Sequence, residues 1–265
     1  MNGTIGSESR LLAEERRREI IQRIEQQGRV TVATLAKRFG VSAVTIRSDL
    51  DVLSGRRLLV RSHGGAILPL EVRDEFPISV KRSIHHAEKV RIGRAAADLV
   101  RPHQTVILDS GTTTPEVAAS LRKRGVEAVT IITHALNVAL ELAESPNLSL
   151  IMIGGVLRRV SRSFVGPQAE RMMRELHADH FFLAVDGLDP EAGLSTPDIL
   201  EAQLNALMMT RAREVTVVAD ASKIGRRSVS VIADVRAVHR IVTDDRIAAE
   251  SLHALRANGV EVIVA

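Results

Sequence analysis

Thr31-Val32-Ala33-Thr34-Leu35-Ala36-Lys37-Arg38-Phe39-Gly40-Val41-Ser42-Ala43-Val44-Thr45-Ile46-Arg47-Ser48-Asp49-Leu50-Asp51-Val52-Leu53 contains two helical periods separated by one short break. Thr31 stands where a hydroxyl caps a helix over about Val32–Phe39, whose inner face is Leu35, Ala36 and Phe39. Gly40 takes the left-handed conformation that closes this helix, and Ser42 caps the next. In the second helix, about Ala43–Leu53, Ile46, Leu50 and Leu53 recur at i, i+4 and i+7 and must face inward. Val44, Thr45, Arg47 and Ser48 are left pointing outward near its N-terminal end. A helix, a tight turn and a second helix with polar side chains at its start is the arrangement that enters a DNA major groove.

The sequence on either side extends this unit. Glu14–Gln27 has a helical period with Ile20, Ile21 and Ile24 on one face, and Gly28 stops it. After Gly55, Leu58-Leu59-Val60 reads as a strand, Arg61 to Gly65 as a turn and Ala66-Ile67-Leu68 as the returning strand. Three helices and a hairpin describe a winged helix-turn-helix, mostly α with a small β-wing, over residues 13–68. Residues 1–12 are expected to be disordered. Residues 69–86 are charged, contain Pro77 and lack a period, and are expected to be a linker.

Residues 87–265 alternate strands with helices. Strands are expected at Thr105–Asp109, Ala128–Thr133, Leu148–Ile153, His180–Asp186, Val215–Ala219, Arg240–Thr243 and Val260–Val264. Helices are expected at Pro115–Lys123, Ala135–Glu144, Pro197–Arg213 and Ala248–Asn258. Several strands are continuous apolar runs, as when both sheet faces are covered, so this part reads as an α/β domain with a mainly parallel sheet.

Composition narrows the chemistry. The 265 residues include no cysteine, which removes disulfides, thiol catalysis and cysteine-bound metal. Five Phe with no Trp or Tyr argue against base-stacking modes of single-strand or RNA binding. No long apolar run suggests a membrane span, and the polar start MNGTIGSESR is no secretory leader, so the protein is read as cytoplasmic with no membrane partner. Residues 1–70 hold 12 Lys and Arg against 7 Asp and Glu, and the rest holds 24 against 25, so the excess positive charge lies entirely in the first part. That asymmetry suggests a nucleic-acid-facing module, with a solvated helix surface as the alternative, and together with the helix-turn-helix it makes double-stranded DNA the expected partner. Arg47 can read a guanine through two hydrogen bonds, Thr45 and Ser48 can donate to bases or phosphates, and Val44 can meet a thymine methyl. Thr31, Arg61 and His63 are candidates for backbone and wing contacts. The competing reading of Arg47 is an i, i+4 ion pair with Asp51.

In the second part, Asp109-Ser110-Gly111-Thr112-Thr113-Thr114-Pro115 lies between a strand and a helix. Backbone N–H groups and hydroxyls at a helix N-terminus suit an anion, Gly111 permits close approach, and Pro115 suits the first turn; a simple helix cap is the alternative. Polar or glycine positions recur at other strand ends: Thr133 with Asn137, Gly154-Gly155, Asp186-Gly187, and Asp220 to Lys223. One pocket assembled from several strand-end loops would produce this recurrence, with a cap or turn as the alternative at each single position.

The runs Arg18-Glu19-Ile20-Ile21, Val32 to Ala36, Val41 to Leu50 and His63-Gly64-Gly65-Ala66 resemble the DeoR family of bacterial sugar-operon repressors. That family commonly has a second Arg where this chain has Ser48, and an Asn where it has His134. The resemblance implies a sensor domain similar in fold to ribose-5-phosphate isomerase. It implies that Ser110, Gly111, Thr112 and Thr113 hold the phosphate of a sugar phosphate, with Asp109, Asp186, Glu201 and Lys223 at the sugar end. Gly154 to Gly166 is most similar to the N-acetylgalactosamine branch, which implies an amino-sugar or hexitol phosphate effector. No cofactor is implied. A homo-oligomer, dimer or tetramer, is expected because operators present two half-sites. Arg158, Arg159 and Arg162 either add charge to the site or belong to an exposed loop. The alternative function is a sugar-phosphate isomerase with an appended DNA-binding domain, using Asp186, Glu201 or Lys223 as acid and base. His177 with His180, and His85 with His86, have no third ligand near in sequence, so no metal site is expected.

Overall fold

The computed structural model describes residues 13–27, 29–56, 58–67 and 78–265, and the chain divides into two compact units at Phe76/Pro77. The N-terminal stretch read as disordered, the Gly28 stop, and Leu68 to Pro77 of the returning strand and linker lie outside the described residues.

The first unit runs α1 (Ala13–Gln27), β1 (Arg29–Thr31), α2 (Val32–Phe39), α3 (Ala43–Gly55), β2 (Val60–Ser62) and β3 (Gly65–Ile67). Its core is Ile20, Ile21 and Ile24 from α1, Leu35 from α2, and Ile46, Leu50 and Leu53 from α3. Thr31 caps α2 by accepting from the Thr34 N–H, and Ser42 caps α3 by accepting from the Thr45 N–H. Gly40 sits at φ 59°, the left-handed turn that an L side chain resists. The wing is three-stranded and antiparallel, in order β1-β3-β2. β1 has three residues, too few for a measurable period in the sequence. The first wing strand begins at Val60 rather than Leu58; Leu58 and Leu59 are buried ahead of it.

A buried carboxylate joins α1 to α3. Asp49 is 1% exposed, and its two oxygens accept from Arg16 Nε at 2.5 Å and Arg17 Nε at 2.8 Å. A charge in an apolar interior is tolerated only when paired and hydrogen-bonded, so this contact fixes α3 against α1.

The second unit begins with α4 (Ile78–Ser83) and α5 (His86–Ala97). The linker expected over 69–86 is therefore shorter: Ile78 is buried and its N–H donates to the Val160 carbonyl. α4 is six residues long, too short for its period to register. There follow β4 (Thr105–Leu108), α6 (Thr114–Arg124), β5 (Val129–Thr133), α7 (Leu136–Leu142), β6 (Leu148–Met152), the hairpin β7 (Val156–Arg158) and β8 (Ser163–Val165), and α8 (Pro167–Arg174). Then come β9 (Ala178–Leu183), β10 (Gly187–Asp189), β11 (Gly193–Thr196), α9 (Ile199–Thr210), β12 (Ala212–Val218), β13 (Ser230–Ala233), β14 (Arg240–Thr243), α10 (Ala249–Ala257) and β15 (Glu261–Val264).

Seven strands form one parallel sheet in the order β15-β14-β12-β9-β4-β5-β6. Each of the seven expected strands is one of these. Side chains alternate between two cores, so Ile107 and Phe181 face one way and Leu108 and Phe182 the other. α5, α6 and α7 cover the second of these faces; α8, α9 and α10 contribute to the first. The small sheet β10-β11-β13 has strands of three or four residues, too short to carry a period in the sequence. His180 lies inside the large sheet, stacked on Phe182 with Nε2 2.8 Å from Thr216 Oγ1, and burial pushes its pKa down to about 4.

Asp49→Ala leaves Arg16 charged and buried without its carboxylate. The expected loss is about 3–5 kcal/mol in the first unit, read as an earlier urea transition of the helical signal in the full chain; an unmoved transition would show that the ion pair does not hold α3.

Candidate functional site

The first unit presents an outward face at the start of α3. Val44 is 70% exposed, Arg47 and Ser48 are exposed, and Thr45 is half-buried with its hydroxyl 2.9 Å from Ser42 Oγ. Among the described residues no ion pair involves Arg47. Asp51, its i, i+4 neighbour, instead pairs with Arg61 at 3.2 Å. Arg61 is thus drawn toward α3, while His63 stands exposed at the wing turn. Thr31 is exposed, but its hydroxyl is committed to capping α2 and to Thr34 Oγ1.

In the second unit the sheet order reverses direction at β4. The chain steps outward through β5 and β6, then returns to the other side of β4 as β9. In open parallel sheets ligands bind outside the carboxyl ends of such a pair, here β4 and β9. The loops that follow Leu108 and Leu183 stand at this end.

One carboxylate organises the β4 end. Asp109 is 1% exposed and accepts from the Ser110 N–H at 2.7 Å, the Ala184 N–H at 3.0 Å and Asn205 Nδ2 at 3.3 Å. His134 Nε2 lies 2.9 Å from Asp109 Oδ1, the oxygen that also accepts from the Ser110 N–H, and His134 Nδ1 donates to the Phe164 carbonyl at 2.9 Å. Burial works against the charged imidazole, but the adjoining Asp109 outweighs it and the His134 pKa is raised. Asp109 therefore does not face a ligand; it sets the loop. Thr133 is likewise fully buried: its hydroxyl donates to the Leu108 carbonyl at 2.7 Å and accepts from the Ala135 N–H. It ties β5 to β4 rather than lining a pocket.

The loop so fixed is rich in uncommitted donors. The hydroxyls of Ser110, Thr112 and Thr113 have no hydrogen-bond partner among the described residues, and Thr113, the N-cap residue of α6, makes no side-chain cap. Thr114 Oγ1 turns back to the Ser110 carbonyl. Gly111 has φ +112° and lies where a Cβ would stand 3.1 Å from the Ala184 Cβ, so both its conformation and its neighbour favour glycine. Asn137 Nδ2 holds the Gly111 carbonyl at 3.0 Å, which leaves Asn137 Oδ1 a buried acceptor without a partner; Asn205 Oδ1 is another.

At the β9 end, Asp186 accepts from Lys81 Nζ at 2.7 Å, with Lys223 Nζ at 3.8 Å and Thr196 Oγ1 at 3.5 Å. Burial opposes its ionisation, yet Lys81, Lys223 and Arg158 hold its carboxyl below the usual range. Glu201 is buried on α9 and accepts from Ser163 Oγ at 2.6 Å, with Arg158 3.5 Å away. Arg158 also reaches Asp198 at 3.1 Å, so it pins the β7–β8 hairpin to the start of α9; Arg159 and Arg162 are exposed. Gly187 is a packing residue, since a Cβ there would meet the Arg226 carbonyl and Ser195 Oγ at 2.6 Å. Gly154 and Gly155 are exposed beyond β6. Lys81, Asn205, Ser163 and Thr196 carried no signal in the sequence, because each is joined to the site only by the fold.

Both units match known domains: the DeoR-like helix-turn-helix domain over residues 16–71 and the DeoR C terminal sensor domain over residues 84–245. The chain belongs to the DeoR family. It is 44% identical over 252 residues to a putative aga operon transcriptional repressor of Escherichia coli O157:H7, covering 94% of this chain and 93% of that protein. It is 36% identical to the HTH-type transcriptional regulator GlpR of Haloferax volcanii, covering 96% and 98%. The glycerol-3-phosphate regulon repressor of Escherichia coli K12 is 31% identical, covering 87% and 90%. These relatives are transcriptional regulators, and this DeoR-family chain is a DNA-binding transcriptional regulator, not an isomerase. Similar solved structures include ribose 5-phosphate isomerase A of Methanocaldococcus jannaschii, at 16% identity and TM-score 0.40, covering 53% of this chain and 55% of that one. Among the described residues no helix is long and apolar enough to cross a membrane.

His134→Ala removes the charged donor from a buried carboxylate, with an expected loss of about 3–5 kcal/mol, and His134→Gln, which keeps an N–H, loses less. Because the folded pKa lies above 6.5, the pair's contribution is complete below about that pH and fades as pH rises through the folded value. Urea titrations at acidic and alkaline pH should therefore show a larger penalty for His134→Ala on the acidic side; equal penalties would contradict a charged pair.

Proposed function

We propose that this protein represses a sugar or amino-sugar catabolic operon and that a phosphorylated sugar bound at the β4–β9 crevice changes its affinity for the operator. The observation that carries the reading is the loop at the start of α6, with the hydroxyls of Ser110, Thr112 and Thr113 uncommitted and placed at the reversal point of the sheet. A helix N-terminus with such donors suits a phosphate dianion. Ser110, Gly111, Thr112 and Thr113 form the phosphate cradle. Asn137 and Asn205 offer acceptor oxygens, and Asp186 with Lys223 offers an acceptor and a donor, which is what sugar hydroxyls require. The aga and glycerol-3-phosphate names of two relatives agree with a regulator of carbon-source genes. A dimer or larger homo-oligomer presents two copies of α3 to the half-sites of one operator.

On the DNA side, Arg47 reads a base edge from the start of α3, with Val44, Thr45 and Ser48 beside it and His63 and Arg61 on the wing. Gel-shift titrations at fixed salt against DNA upstream of the protein's own operon test this directly, since phosphate contacts make affinity depend on ionic strength. Arg47→Ala should cost about 1–3 kcal/mol in specific binding; unchanged affinity would remove its base-reading role.

For the sensor, Thr112→Val should leave operator binding intact and abolish the response to whichever member of a sugar-phosphate panel shifts the wild-type protein. A response that survives the substitution would place the phosphate elsewhere.

A further inference from the structure

Helix α4 is the first element after residues 68–77, which join the DNA-binding unit to the sensor unit, and it carries one side chain into the sensor site. Lys81 Nζ donates to Asp186 Oδ1 at 2.7 Å across 105 residues of sequence. α4 is fastened further by the Ile78 N–H on the Val160 carbonyl. Lys89, buried on α5, donates to the carbonyls of Lys81 and Ile84 at 2.6 and 2.7 Å, so an ammonium caps the end of α4.

Asp186 has a second cation in place. Lys223, on the turn that follows β12, lies 3.8 Å from the same oxygen. Withdrawal of Lys81 therefore leaves the carboxylate compensated by a residue of the sensor scaffold itself. The Lys81 side chain is 18% exposed, so its ammonium reaches water when displaced. The pair is part-buried, so a polyhydroxyl ligand can compete for Asp186 only by supplying hydrogen bonds of its own.

We propose that Lys81 is an intramolecular occupant of the effector site. In the unliganded protein it holds Asp186, and an effector whose hydroxyl groups bond to Asp186 takes its place and loosens α4, from which the chain leads directly to the DNA-binding unit. The inference rests on the sugar-phosphate reading of the crevice and adds the route by which occupancy leaves it. Coupling is reciprocal: whatever factor the effector applies to operator binding, operator binding applies to the effector.

The test uses the full chain, operator DNA from upstream of its own operon, fixed salt and no effector. Lys81→Met and Asp186→Asn should each shift the operator Kd by about 5-fold or more and in the same direction. The double variant should go no further than either single one, since both remove one contact. Lys81→Arg keeps the pair and should stay within about 2-fold of wild type. Amide hydrogen exchange over residues 78–83 should quicken in Lys81→Met and not in Lys81→Arg. Operator affinity unmoved in both single variants, or additive effects in the double, would overturn the proposal while leaving the repressor reading intact. Wild-type protein that binds no upstream DNA would overturn both. If Lys81→Met does not fold, Asp186→Asn and Lys81→Arg carry the comparison.

Discussion

The sensor unit depends on the Asp109 carboxylate. A buried charge is stable only where the chain supplies donors, and here they arrive from four places: the amide of its own loop, the amide that follows β9, the imidazole that follows β5 and an amide side chain of α9. These groups meet only if β4 lies between β5 and β9. Strand order, the crevice at the reversal point and the conformation of the donor-rich loop are thus consequences of satisfying one anion. The residues with uncommitted hydroxyls differ from the residues that hold the loop in place. Ser110, Thr112 and Thr113 keep their hydroxyls uncommitted because Asp109, His134 and Thr133 hold the backbone for them.

The DNA-binding unit follows the same logic with opposite sign. Arg16 and Arg17 turn inward to Asp49, and Arg61 turns to Asp51. Positive charge counted along the sequence is therefore divided between arginines that hold α3 in place and arginines left exposed, and Arg47 belongs to the second class. The net charge of a segment indicates a polyanionic partner, but it does not say which arginines reach it.

Much of the architecture was legible beforehand. Strands buried on both faces are apolar throughout, so all seven members of the large sheet were marked to within two or three residues at either end. Helix caps at Thr31 and Ser42 and the left-handed Gly40 could be read because each requires a particular residue type. The three-residue β1, the six-residue α4 and the small sheet β10-β11-β13 could not, since a short segment has no period and owes its structure to what it packs against. In the second unit, polar residues at strand ends can be marked from the sequence, but their orientation cannot. Asp109, Thr133 and Glu201 bond to other parts of the protein, and a sequence does not show whether a polar side chain at a strand end faces a cavity or a neighbour. Lys81 was invisible for a simpler reason: its partner is 105 residues away.

The strand order also sets a timetable for synthesis. The three helices and wing of the first unit are complete by Ile67 and rest on local contacts, so that unit can fold while the rest is still being made. β4 waits much longer. Val106 pairs with His180, 74 residues later, an interval of roughly 4–15 s at ordinary elongation rates of about 5–20 residues per second. Until β9 emerges, the edge of β4 and the Asp109 carboxylate beside it have half their partners, and a hydrophobic strand with an open edge is a template for pairing with other chains. Nascent copies on one message meet this exposure together, which makes the 70 or so residues after β4 the stretch in which a chaperone has most to protect.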